Sequence, residues 1–341
     1  MTNSTDLLVV DGLDSTLPSR DEIRALRDRL REWEARYRLA QSPATLRAVR
    51  ADWQVFIGWC ERAGVRPLPL SCEDLARFLT DQEIIGKRRA TLNRYVNTIR
   101  LVHRGANLPD PTSHPDWRLL WRGIVARLAR RGGNAPRQAP PLRASDIETI
   151  LKTLGDRPID LRDAALIALA SDTLCRESEL VRIKLEDFTQ TGDGWAVDVR
   201  RSKTDQEGLG STRYCSPATK ARIDAWCSRA GIDRGLIFIG IGRSRGEFRA
   251  PPPEKRTPLG PTEVARIIRR RAARAGLQDA HQLSGHSGRV GSAVDLLEAG
   301  FSVTDVQFAG GWKSPQMVFH YGKRALAGHN AMARLRGRRN T

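Results

Sequence analysis

Along most of the chain apolar residues return every three to four positions, the period of a helix with one face turned to a core. Residues 1–20 are polar without a sustained period and are expected to be disordered. Five helical patterns follow. Glu22 to Arg38 is Arg-rich and rather polar, and Ser42 to Gly64 carries Leu46, Val49, Trp53, Phe56 and Ile57 along one side. Ser42 followed by Pro43 is a cap and a first-turn residue. Pro67 and Pro69 break the period before Ser71 to Ile85, whose Glu73 and Asp74 suit the positive end of a helix dipole. Lys87, Arg88 and Arg89 open a fourth helix with Leu92, Tyr95, Val96, Ile99 and Val102 on its buried side. His114 to Arg131 closes the set with Trp117, Leu120, Trp121, Ile124 and Leu128. Together these patterns predict an all-helical domain over residues 21–131.

Gly132 to Pro141, GGNAPRQAPP, interrupts the pattern: glycine gives freedom, the prolines deny helix, and no apolar period crosses it. A linker is therefore placed at residues 132–144 and a second domain at 145–324. A helix is predicted from Ser145, with Glu148 three residues on in a capping-box pattern, to Leu154, and another from Asp160 to about Leu174. TLCRESELVRIKLEDF then puts Arg176 at a turn before a short helix bearing Glu179, Leu180 and Ile183. From Trp195 to Arg201 the period changes to two, with Trp195, Val197 and Val199 on one face, and Thr212 to Ser216 answers as a second strand. The polar loop between them, SKTDQEGLG, carries Lys203. Residues 240–262 are rich in Gly, Pro and Arg and read as a structureless loop, and a loop that long is usually functional or mobile. Pro261 to Ala275 is helical with Arg266, Arg269, Arg270, Arg271 and Arg274 distributed around it.

A further helix begins near His286, with Val290, Ala293, Val294 and Leu297 on one side and Asp295 and Glu298 on the other. Its period places His286 and Arg289 on the apolar side, where a buried cation without a partner costs several kcal/mol. The pocket they enter is therefore expected to hold something anionic. Gly310, Gly311 and Trp312 come next, and Tyr321 follows on a second apolar segment that begins at Met317. Ala325 to Arg338 is a last candidate helix, too short to be stable alone.

Length and charge change this picture. A chain of 341 residues exceeds one ordinary core, so two domains are expected. Its 57 basic and 39 acidic side chains leave +18, with 16 basic against 8 acidic in residues 41–131 and 34 against 23 in residues 132–341. An excess spread over both domains fits a protein that grips a polyanion from two sides; solubility or an Arg-rich coding bias is the plainer reading. Arg47, Arg50, Lys87, Arg88, Arg89, Arg94, Arg100, Arg201, Arg243 and Arg245 are the candidate DNA contacts, though such runs are also ordinary solvated faces. The five cysteines are odd in number and form no CxxC pair, so neither a disulfide framework nor a zinc site is indicated. Nothing reads as a signal peptide or an apolar span of eighteen residues, which predicts a soluble protein of a reducing cytoplasm. The sequence holds no internal repeat, P-loop, GxGxxG or acidic cluster suited to Mg²⁺.

Arg176, Lys203, His286, Arg289, Trp312 and Tyr321 are each weak evidence alone. As a set they have a use in phosphoryl transfer, where fixed cations and N–H donors can stabilise charge on phosphate oxygens. A tyrosine hydroxyl can attack phosphorus if cations stabilise its phenolate, and a lysine on a hairpin tip can protonate the leaving oxygen.

Carried by LCRESEL, RSKT, SGHSGRVG, AGGW and the Tyr321 segment, the chain resembles the tyrosine site-specific recombinases of the integrase family, in its Cre-like branch. The resemblance covers residues from about 22 to 335, and HSGR stands where the Cre-like pattern has HSAR, a small-for-small change. It implies Arg176 and Arg289 as a phosphate clamp, His286 and Trp312 as further donors and Glu179 as the acid that steadies the pocket. It further implies Lys203 as proton donor and Tyr321 as nucleophile. The implied fold is mainly α with a small β-sheet, a helical core-binding domain joined to a mixed α/β catalytic domain, the two forming a C-shaped clamp on DNA. The implied reaction passes through a 3′-phosphotyrosyl bond and a Holliday junction, with neither metal nor ATP as cofactor. A homotetramer on two inverted-repeat DNA sites, monomeric when free, is the implied assembly. Residues 325–341 are expected to dock in a neighbouring protomer, or to pack in cis. A bacterial, nucleoid-associated protein of plasmid or phage origin follows from the same likeness. A type IB topoisomerase or telomere resolvase, or a regulator that binds DNA without cutting, is the alternative.

Overall fold

The computed structural model describes residues 20–134, 138–200, 210–241 and 248–328, and the chain divides into two compact units at Arg137/Gln138. Helices dominate both units, and the second adds a small antiparallel sheet. The expected disorder of residues 1–20 falls almost wholly outside the described part, as does most of the last candidate helix.

The first unit contains α1 (Arg20–Ala40), α2 (Pro43–Ala63), α3 (Cys72–Ile84), α4 (Arg89–Gly105) and α5 (Trp117–Arg130). Ser42 caps α2 by accepting from the Thr45 N–H, and Ser71 caps α3 by accepting from the Asp74 N–H. Trp53, Phe56, Leu75, Phe78, Leu92 and Val102 fill the core, where the Phe56 and Phe78 rings meet edge to face at 5.2 Å. Buried His103 accepts at Nε2 from the Leu70 N–H at 3.1 Å, so Nδ1 carries the proton and donates to the Ile99 carbonyl at 2.8 Å. Two boundaries differ from expectation. Lys87 and Arg88 precede α4 instead of lying within it, and His114 to Asp116 form a turn before α5.

The second unit is built around α7 (Pro158–Thr173), which is buried on nearly all sides and packs against α9 (Pro217–Ala230), α11 (Ser287–Glu298) and the sheet. Ahead of it lies α6 (Ala144–Lys152), and after it the short α8 (Glu177–Leu180). Strands β1 (Phe188–Thr191), β2 (Gly194–Val199) and β3 (Ser211–Cys215) pair antiparallel in that order, Val197 lying opposite Phe188 and Arg213. α10 (Pro261–Arg274), α12 (Val303–Gly310) and α13 (Pro315–Gly328) complete the unit. A small apolar cluster of Leu174, Ala293, Leu297, Val306, Trp312 and Val318 joins the last three helices to the end of α7.

Several expectations are corrected here. β1 and α9 are not among the predicted elements. The cap of α6 is Arg143, whose backbone N–H donates to Asp146 at 2.9 Å, so Ser145 and Glu148 form no capping box. Within residues 240–262, Leu259 is buried, Ile239 bridges to Pro258, and Arg256 donates to the Pro251 carbonyl at 2.8 Å. Where described, that stretch is a loop held to the unit by these contacts, with one 3-10 turn at Pro253–Lys255. Arg271 of α10 points inward, binding Asp163 and Asp160 at 2.7 Å each. Residues 325–328 continue α13 without a break from Tyr321. All five cysteines are free thiols and buried.

Candidate active site

α7 ends at Thr173, and Leu174 turns the chain with a left-handed φ of 49°, uncommon for a leucine. Its carbonyl accepts from Arg289 Nη1 on α11. Two residues on, Arg176 stands just before α8. The Glu179 carboxylate accepts from the Arg176 backbone N–H at 2.9 Å and from its Nη1 at 2.6 Å. One buried acid thus closes the first turn of α8 and fixes a guanidinium.

Arg289 is only 2% exposed, and its Nη2 has no hydrogen-bond partner among the described residues. Burial, and then the like charge of Arg176, lower its pKa from the ordinary guanidinium range to about 10, against the opposing pull of Glu179 and Tyr321. It remains a cation at neutral pH. Trp312 lies face-on to it, with the guanidinium carbon 4.1 Å from the ring centroid. The Tyr321 ring of α13 is 5.7 Å from that of Trp312, and the Tyr321 carbonyl accepts from Gln138 Nε2 at 3.3 Å.

The structure therefore gathers Arg176, Glu179, Arg289, Trp312 and Tyr321. His286, expected on the apolar side of its helix, is instead exposed at the residue before α11. The inward position goes instead to Ser287, whose Oγ accepts from the Ser284 N–H at 2.9 Å. Lys203, Arg201, Arg243 and Arg245 lie outside the described residues. In the first unit Arg47, Lys87 and Arg89 are exposed, and Arg50 and Arg88 are half-buried. Arg94 is held by buried Asp52 at 2.8 Å, and Arg100 by Asp110 at 2.9 Å.

Two charged residues that sequence reasoning missed stand in this region. Half-buried Glu177 accepts from the Gly285 N–H; burial pushes its carboxyl above the usual range, while His286, that N–H and Arg269 pull it back. A Cβ on Gly285 would land on this carboxylate. Arg213, 6% exposed, shares the inward face of β3 with Cys215. A signal for it exists in the sequence, since period two across Thr212 to Ser216 turns Arg213 and Cys215 to the same side. Glu73, His114 and Asp116 also come within 4.8 Å of one another at their ligand atoms, but all three are exposed. Among the described residues no helix is long and apolar enough to cross a membrane.

Solved structures with this fold include a transposon Tn1549 integrase in complex with transposon right end DNA. It has a TM-score of 0.60 and 12% identity, over 91% of this chain and 99% of that one. Another is the XerH site-specific recombinase in a post-cleavage complex with palindromic difH, with a TM-score of 0.58 and 13% identity over 94% and 90%. The fold is thus that of the site-specific recombinases and integrases. The phage integrase family model matches residues 141–326. An integrase/recombinase XerD homolog of Selenomonas ruminantium is 31% identical over 84% of each chain, and the Cre recombinase of Escherichia phage P1 is 26% identical over 92% of this chain and 93% of its own. The chain belongs to the phage integrase family, and its activity is that of the tyrosine recombinases, which are DNA transesterases.

Proposed function

We propose that this recombinase cuts and rejoins duplex DNA at a specific site with Tyr321 as the nucleophile. The observation that carries the reading is buried Arg289, incompletely hydrogen-bonded, stacked on Trp312 and within electrostatic reach of Tyr321. The nonbridging oxygens of a scissile phosphate supply the acceptors this guanidinium lacks. Arg176, held rigid by Glu179, is the second cation of the clamp, and His286 and Trp312 add donors. The Tyr321 oxygen attacks phosphorus, the bond to the 5′ oxygen breaks, and a 3′-phosphotyrosyl bond forms. Lys203 protonates the departing oxygen. The 5′-hydroxyl of a partner duplex then attacks the phosphotyrosine and releases the phenol; one such exchange makes a four-way junction and a second resolves it. The diester is exchanged and never hydrolysed, so no ATP is consumed.

On this reading residues 21–131 bind DNA through Arg47, Lys87, Arg88, Arg89 and their neighbours, residues 132–144 link, and residues 145–324 catalyse. Four protomers act on two inverted-repeat sites, with residues 325–341 docking in trans. The test is a denaturing gel of the protein with a nicked duplex selected from a random pool by binding. A covalent adduct is expected with the natural chain and none with Tyr321→Phe; an adduct persisting in that variant would move the nucleophile elsewhere.

A further inference from the structure

Arg213 is a buried cation that the mechanism above does not use. Its Nη1 donates to the Thr212 carbonyl at 3.2 Å and its Nη2 to the Gly310 carbonyl at 3.4 Å, while its Nε is buried without a partner among the described residues. Among the described residues no carboxylate accepts a hydrogen bond from it. Burying a guanidinium on carbonyl oxygens alone is costly, and a leucine or methionine would fill the same space without that cost.

Its surroundings explain what the charge and shape accomplish. The guanidinium lies under the turn that joins α12 to Trp312. Gly311 is left-handed there, with φ 56°, and a Cβ on it would strike Arg213 Nη2. A Cβ on Gly310 would strike the Trp312 ring. The two glycines are thus pressed between the guanidinium of Arg213 and the indole of Trp312. That indole in turn covers Arg289 and abuts Tyr321. Arg213 is close enough to the Arg289 side of the pocket that both cations act on the Cys175 thiol.

We propose that Arg213 is a positioning residue: from β3 it holds the Gly310–Gly311 turn so that the Trp312 ring stays stacked on the Arg289 guanidinium beside Tyr321. The inference deepens the transesterase reading and rests on it only for its kinetic arm. Lysine at position 213 keeps a charge but cannot hold two carbonyls across a planar fork. Alanine at Gly311 disturbs the same contact from the opposite side.

Two measurements test this. Without DNA, the tryptophan emission of the full chain minus that of Trp312→Phe isolates the indole signal; Arg213→Lys and Gly311→Ala are both expected to shift it. An unshifted signal in both variants overturns the proposal whatever the enzyme does. With nicked duplex at saturating protein, each variant is expected to form the covalent adduct about ten- to a hundredfold more slowly, as for a small misplacement, with DNA affinity unchanged. The Arg213→Lys, Trp312→Phe double variant is expected to be no slower than Trp312→Phe alone. Losses that multiply in the double variant, or an equal loss of affinity, would show that Arg213 acts on something other than Trp312. Absence of an adduct with the natural chain would instead count against the transesterase reading, and leave the emission result to decide the role of Arg213.

Discussion

Around α7 the second unit buries arginines in two places, and it treats them differently; buried Arg256 is a separate case, bound to the Pro251 and Arg234 carbonyls. Under α7, Arg162 and Arg271 are each met by a buried carboxylate: Arg162 binds Asp163 at 2.7 Å, and Arg271 binds Asp163 and Asp160. At the other end of the same helix, Arg213 and Arg289 meet only carbonyl oxygens, apart from the indole face over Arg289. Glu179, a buried acid nearby, is committed to Arg176. A complete set of opposite charges marks a cluster whose role is to hold elements together. At Arg289, whose Nη2 has no acceptor among the described residues, the shortage marks a place prepared for an anion that arrives from outside, and it is this shortage that the proposed site exploits.

Replacing Arg289 by Met is the strongest way to break that contrast. Adduct formation is expected to fall a thousandfold or more, about 4 kcal/mol of lost transition-state stabilisation, in a single-turnover assay. The fold is expected to gain. A pKa lowered to about 10 means that the unfolded chain holds this proton more tightly. The resulting cost, about 3 kcal/mol, is fully present below the folded pKa and disappears as pH rises from there toward the pKa of the unfolded chain's guanidinium. At neutral pH Arg289→Met should therefore melt no lower than the natural chain in a thermal scan. Asp163→Asn should do the reverse. It leaves two buried guanidinium groups short of a partner and is expected to cost about 3–5 kcal/mol in urea unfolding.

The first unit sharpens the same comparison with smaller effects. Arg94→Ala strands the Asp52 carboxylate and is expected to cost about 1–3 kcal/mol, whereas Lys87→Ala, which removes an exposed side chain, should stay within about half a kcal/mol. His103 is a buried base matched without charge, and burial lowers its pKa from 6.5. Because the unfolded imidazole takes a proton first, its contribution is complete above 6.5 and is lost as pH falls below that value. The slope of stability against pH attributable to it cannot exceed one proton, about 1.4 kcal/mol per pH unit, and should vanish in His103→Gln.

Helical period made the first unit legible because its helices have one wet and one dry face, as the Leu92, Tyr95, Val96, Ile99 and Val102 stripe of α4 illustrates. α9 carries the same signal in Ile223, Trp226, Cys227 and Ala230, and it was open to the same method. β1 was not. Its four residues, FTQT, bury little, and only pairing with β2 makes them a strand. Arg289 could be read because a charged residue inside an apolar pattern is conspicuous, whereas Arg176 stood at a turn and the role of Glu179 came only from the resemblance carried by LCRESEL. His286 was misplaced because extending a helical period one residue beyond its first turn assigns a side that the chain does not keep. Arg213 and Glu177 depend on glycines distant in sequence, Gly311 and Gly285, whose missing Cβ atoms make room for them. No local pattern records that fit.

The sealed thiols have a practical meaning for anyone who wants to watch this enzyme move. Burial pushes Cys60, Cys215 and Cys227 up to about 12 and Cys175 to about 11, so at neutral pH the native chain offers almost no thiolate to an alkylating dye. A single cysteine introduced on an exposed helix face would then take a fluorophore or spin label selectively, with the five natural ones left in place.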